Sequence, residues 1–151
     1  CVYRWNLVSN PSFEHGLSNW TPSGGASIDT SIKHLGDKSL KIAATGGFEE
    51  TASDLIPIKP NTQYRMSGWA RTDLTNGMAC MHLAWYYPNQ TYMGEVYSDY
   101  CLAGSDARWW HLQQTATSPS DAAYASIHLA VQNSPTGNAW FDDVSLEEVV
   151  C

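Results

Sequence analysis

The groups in this chain able to do acid–base or metal chemistry are its carboxylates and imidazoles, and their spacing limits what they can do. Acidic residues stand side by side at Glu49–Glu50, Asp142–Asp143 and Glu147–Glu148. Glycoside hydrolysis needs two carboxyl groups flanking one bond. Neighbours on a strand point to opposite faces, so no adjacent pair can do this alone, although a pair formed across strands stays open. The five histidines, His15, His34, His82, His111 and His128, show no HExxH or other metal spacing, and no GxSxG elbow occurs. His15 and His34 fall in expected loops and are expected to be solvated. These patterns give no positive support for an enzyme.

The aromatic residues are more suggestive. The chain holds seven Trp and eight Tyr against three Phe. Trp and Tyr combine a flat apolar face with a polar handle, which suits ligands that are apolar on one face and hydroxylated at the edge, such as pyranose rings. Most of these rings are expected to fill the core, among them Trp85, Trp140, Tyr64 and at least one of Trp109 and Trp110.

Such residues must be positioned by strands, because helical periodicity is almost absent. Short alternating runs separated by turn signals (SGG, TGG, KPN, TDLTNG, YPNQ, NSPTG) predict strands near Leu7–Val8, Ala26–Thr30, Ser39–Ala43, Glu49–Ile58, Gln63–Arg71, Cys80–Tyr87, Val96–Tyr100, Trp109–Thr117, Ala123–Gln132 and Ala139–Val149. Ten short strands at this spacing predict an all-β, two-sheet antiparallel β-sandwich of jelly-roll type, one unit over residues 1–151. In YASIHLAVQ the residues Ile127, Leu129 and Val131 make the apolar face. Tyr124, Ser126, His128, Ala130 and Gln132 then face away from it. In MHLAWYY the split puts Met81, Leu83, Trp85 and Tyr87 on one side and His82, Ala84 and Tyr86 on the other. Both outward rows mix aromatic, imidazole and small residues, the composition of a binding surface. In WFDDVSL, alternation puts Trp140, Asp142, Val144 and Leu146 on one side and Phe141, Asp143 and Ser145 on the other. That leaves a carboxylate on an apolar face.

With 8 Lys+Arg against 15 Asp+Glu and a formal net charge of −7, the chain lacks the basic face that nucleic acid or an anionic membrane requires. It has no apolar run long enough to span a bilayer. Cys1 to Asn10 lacks the basic end and apolar stretch of a signal peptide. The four cysteines, Cys1, Cys80, Cys101 and Cys151, have no CxxC spacing for zinc. Their even number predicts disulfides and a secreted protein, with four free thiols as the alternative. Three pairings are open. The usual closeness of domain termini favours Cys1–Cys151 with Cys80–Cys101.

The segments NLVSNPSFEHGLSNW, LGDKSLKI, IPIKPNTQYRMSGWAR and GNAWFDDVSLEEV, in this order, resemble the carbohydrate-binding modules of families 4, 16 and 22. These are non-catalytic, galactose-binding-like jelly rolls attached to polysaccharide hydrolases. The resemblance spans nearly the whole chain and is loosest over residues 72–109. It implies a structural Ca2+ ion held by the Glu14 and Asp142 side chains with the carbonyls of Ser12, Lys38 and Leu35. Asp143 would then face water. It also implies a ligand face carrying Trp20 as a stacking platform, with Tyr124, His128, Tyr92, Phe48 and Glu50. His82, Tyr86 and Gln132 join that set from alternation alone. The function implied is binding of a β-linked polysaccharide, with β-glucan, mannan or glucomannan favoured over xylan and galactans. The module would act as a monomer and tether a catalytic domain in the same polypeptide. A structural spacer or protein-interaction jelly roll that does not bind sugar, and a small glycan hydrolase or lyase, are the competing classes.

Overall fold

The computed structural model describes residues 1–151, Ser105 by its backbone alone. Among the described residues there are twelve strands and no helix: β1 (Val2–Tyr3), β2 (Trp20–Thr21), β3 (Ala26–Asp29), β4 (Ser39–Ala43), β5 (Phe48–Ser53), β6 (Ile56–Pro57), β7 (Gln63–Tyr86), β8 (Tyr92–Tyr97), β9 (Leu102–Ser105), β10 (Trp110–Thr117), β11 (Tyr124–Gln132) and β12 (Asn138–Val150). All pairings are antiparallel. One layer runs β10–β7–β12–β4–β3. The other runs β2–β5–β11–β7–β8. The expected all-β jelly roll is therefore what the chain forms.

Strand β7 belongs to both layers, so hydrogen bonding continues from one to the other. TDLTNG, expected to be a turn, is instead where the strand crosses over. Gly77 makes this crossing possible: its φ is +73°, and a Cβ there would sit 1.9 Å from the Gln132 carbonyl oxygen. Leu40, Ile42, Met66, Leu112, Phe141 and Leu146 of the first layer pack with Met81, Leu83, Ile127 and Leu129 of the second to form the fully buried core. Cys1–Cys151 and Cys80–Cys101 are both bonded, in the favoured pairing.

Several element expectations are corrected. Leu7–Val8 forms no strand, because the Asn6 side chain takes its place. Asn6 donates to the Val144 carbonyl at 2.9 Å and accepts the Leu146 amide at 3.0 Å. The edge pairing is made by β1 against Val149 and Val150. The strand expected at Val96–Tyr100 is β8, four residues earlier at its start, and Tyr87 lies beyond the end of β7.

The anomaly in WFDDVSL is resolved by a bulge. Asp143 has φ +50°, and the register of β12 against β7 shifts between Asp142 and Ser145. Before the bulge, Phe141 faces the core and Trp140 faces outward over Arg71, its indole Nε1 donating to Asp29 Oδ2 at 2.9 Å. After it, Val144 and Leu146 face the core. Asp142 therefore lies on the outer side, buried beneath the loop that follows β3 rather than inside the sandwich.

Candidate functional site

The outer face of the second layer gathers most of the expected ligand residues, and the ladder fixes their rows. Phe48, Gln132 and Met78 form one row, and Glu50, Ala130 and Cys80 the next. Ala52, His128, His82 and Tyr97 follow, then Ser126, Ala84 and Glu95, then Tyr124, Tyr86 and Tyr92. The sequence alternates here because β7 and β11 each bury one face in the core. Ala84, Ala130 and Ser126 make a floor that their larger neighbours bury. Above it stand Phe48, Tyr92 and Tyr97, exposed by 55%, 53% and 55%. The Cys80–Cys101 bridge lies along the same face, next but one to His82 on β7.

His82 is the centre of the arrangement. Its ring stacks on Tyr97 at 4.3 Å, and the Phe48 ring lies 6.4 Å away on a near-parallel plane. Nδ1 lies 2.7 Å from Glu95 Oε2 and 3.9 Å from Glu50 Oε2. The first distance is that of an ion pair, yet neither ring nitrogen makes an aligned hydrogen bond. Burial holds the imidazole below its ordinary 6.5 against the pull of Glu95 and Glu50, so the neutral form is favoured. His128 Nδ1 approaches Glu50 Oε1 at 3.1 Å, and this bond holds the Glu50 carboxyl below its usual range. His128 Nε2 meets the Tyr86 hydroxyl at 3.2 Å. The Tyr92 hydroxyl donates to Glu95 Oε1 at 2.5 Å, and that bond pushes the phenol up to about 12. Imidazoles, carboxylates and phenols here offer both donors and acceptors beside exposed aromatic faces.

Glu95 and Tyr97 are not among the residues expected from the sequence. Their signal is the Glu95/Tyr97 alternation with Gly94 and Val96, which is hidden when the strand is taken to start at Val96. Trp20 is a correction. It is 5% exposed, packs on Phe13 at 4.9 Å and donates from Nε1 to the Asn10 carbonyl at 3.1 Å. Its partner in the ladder is Ser53 on the core side, so it is a core residue with no open face for stacking.

Glu14 and Asp142 converge on one loop, residues 34–38. Glu14 accepts the amides of Asp37 and Lys38 at 2.9 and 3.0 Å. Gly36 has φ +70°, and a Cβ there would lie 3.0 Å from the Glu14 carboxylate. Asp142 is fully buried and accepts the amides of His34, Leu35 and Asp143. Burial pushes its carboxyl up to about 6, and no ion-pair partner stands beside it among the described residues. Nor do three His, Cys, Asp or Glu side chains converge to hold a metal there. Two carboxylates completed by carbonyls and water are nonetheless a donor set that fits a hard cation such as calcium. Asp143, expected to face water, is only partly exposed and is held by two partners. It accepts from Ser12 Oγ at 2.7 Å and pairs with His34 Nδ1 at 2.6 Å. His34, also expected to be solvated, stacks on Trp69 at 4.4 Å.

Residues 5–136 match the family described as Carbohydrate binding domain (CBM_4_9), and the chain belongs to it. Among curated relatives it is 28% identical over 159 residues to the tRNA nuclease WapA of Bacillus subtilis (strain 168). That match covers 95% of this chain and 7% of WapA, so the chain spans only a small part of that relative. Among solved structures, one named Family 16 Carbohydrate Binding Module-2 superposes with a TM-score of 0.76 at 20% identity, covering 93% of this chain and 99% of that one. TmCBM61, solved in complex with β-1,4-galactotriose, superposes with a TM-score of 0.71 at 15% identity, covering 96% and 99%.

Proposed function

We propose that this chain is a non-catalytic module that binds a β-linked polysaccharide through the outer face of its second layer. β-Glucan, mannan or glucomannan are the favoured ligands. The observation that carries this reading is the set of exposed Phe48, Tyr92 and Tyr97 rings around the Glu50–His82–Glu95–His128 cluster. Sugar rings stack on Tyr97, Tyr92 and Tyr124, while Glu50, His128, Tyr86 and Gln132 exchange hydrogen bonds with hydroxyls. His82 holds Tyr97 in place from beneath. Affinity is modest, since each stack must offset desolvation and ordering of the glycan.

A calcium ion on Glu14 and Asp142, completed by carbonyls of Ser12, Leu35 and Lys38, would tie the loops after β1 and β3 to β12. It would neutralise a buried carboxylate and takes no part in binding sugar. The module is secreted and monomeric and tethers a larger protein to its glycan, a glycoside hydrolase in the first reading. The likeness to WapA favours a second reading for that larger protein, a partner whose own substrate is not a glycan. Affinity electrophoresis against soluble β-glucan, glucomannan, mannan, xylan and galactan tests the binding. Release of reducing ends or unsaturated sugars from the same panel would instead mark an enzyme.

A further inference from the structure

The outer face of the second layer carries fixed charge of one sign. Its strand segments, β2, β5, β6, β8, β9, β11 and the Met78–Tyr86 part of β7, carry Glu50 and Glu95 on this face, with Glu49 turned to the other side in the Val131 row, and contain no lysine or arginine. Glu50 and Glu95 flank one nitrogen of His82, a side chain 3% exposed with both ring nitrogens unpartnered. Each glutamate uses its other oxygen inside the face, Glu50 toward His128 and Glu95 toward Tyr92. Among the described residues no lysine or arginine pairs with either carboxylate, and the basic groups beside them are the His82 and His128 imidazoles. A glycan lying across Phe48, Tyr97 and Tyr92 passes directly over this pair.

We propose that Glu50 and Glu95 are the charge-selecting residues of this face, admitting neutral and amino-sugar chains and rejecting uronic-acid chains of the same backbone. This rests on the carbohydrate reading above. A hexuronate carboxylate brought over the pair meets two like charges in partly hydrated surroundings, a repulsion sufficient for about tenfold in affinity. A protonated hexosamine meets the same two charges as attraction and has three N–H donors to offer them.

The test compares β-1,4-linked mannose hexamers with β-1,4-linked mannuronate hexamers, whose units differ only in the oxidation of C6. Calorimetry on wild type, Glu50→Gln, Glu95→Gln and the double variant reads the ratio of the two affinities. Glu148→Gln, on the other layer, controls for the net charge of −7. The expected result is a wild-type preference for the neutral chain of about tenfold or more, largely lost in the double variant and kept in E148Q. Salt supplies a readout that needs no variant: raising ionic strength to about 1 M should shrink the preference, because the Debye length falls to about 3 Å. Equal binding of both hexamers by wild type overturns the inference while leaving the carbohydrate reading intact. So does a preference that the double variant retains. Failure of wild type to bind any neutral β-linked chain overturns the carbohydrate reading, and this inference with it.

Discussion

Replacing Asp142 by Asn separates a structural carboxylate from a calcium ligand. The side chain is fully buried and accepts amides from His34, Leu35 and Asp143 at 3.0, 3.3 and 2.9 Å. Asn keeps the shape but offers one acceptor oxygen in place of two. Its NH2 must then oppose either the Asp143 amide or the pair from the loop. Losing one hydrogen bond to a charged acceptor costs about 1.5–3 kcal/mol, and the stranded amide adds about 1–3 kcal/mol. Relief of a buried negative charge returns part of this, so the metal-free variant should lie about 1–3 kcal/mol below wild type. Calcium changes the comparison. At about a hundredfold excess over its Kd, a bound ion stabilises the native state by about 2.7 kcal/mol. At about 2–4 °C per kcal/mol for a chain of this size, wild-type Tm should rise by about 5–10 °C from EDTA to calcium. D142N and E14Q should each lose that rise, and the double variant should lose no more of it. Differential scanning calorimetry in EDTA and in calcium gives all the values. Equal wild-type Tm in both buffers would refute the ion, and a calcium response kept by D142N would refute Asp142 as its ligand.

Trp20→Ala should behave as a core deletion, lowering stability by about 3–5 kcal/mol. Trp20→Phe should retain most stability and all sugar affinity, checked by urea unfolding and calorimetry. Tyr97→Ala and Tyr124→Ala should weaken glycan binding by about tenfold or more, the usual cost of truncating an aromatic anchor, with Tm within a few degrees of wild type. Acidification should destabilise the fold through His82. Its folded value is held below 6.5, so the unfolded chain takes up a proton first, and stability present above that pH is lost as pH falls through it. Tm measured between about pH 7.5 and 5.5 should therefore fall more steeply for wild type than for H82Q, and equal slopes would sink this assignment.

How much of the molecule is legible in the sequence follows from where alternation holds. In β11 it runs unbroken for nine residues, so the pattern alone puts Tyr124, His128 and Gln132 on the outer face. In β12 a single left-handed residue, Asp143, breaks it. Positive φ at an aspartate carries no clear sequence mark, so alternation puts Trp140 and Phe141 on the opposite faces from those they occupy. The crossing in β7 misleads for a related reason. TDLTNG has turn composition, yet Gly77 uses its freedom to pass close against the backbone at the end of β11 rather than to reverse the chain. Trp20 and His34 show the remaining limit. Both lie in or beside loops, and only the closing of those loops over Phe13 and Trp69 determines that the rings are covered.

The central claim is that the aromatic face of the second layer binds a β-linked glycan, and affinity electrophoresis of wild type beside Y97A and Y124A tests it most directly. Retardation of wild type by at least one of β-glucan, glucomannan or mannan, reduced in both variants, is the predicted result. Wild type migrating unretarded through every polysaccharide, or both variants retarded as strongly as wild type, would contradict it.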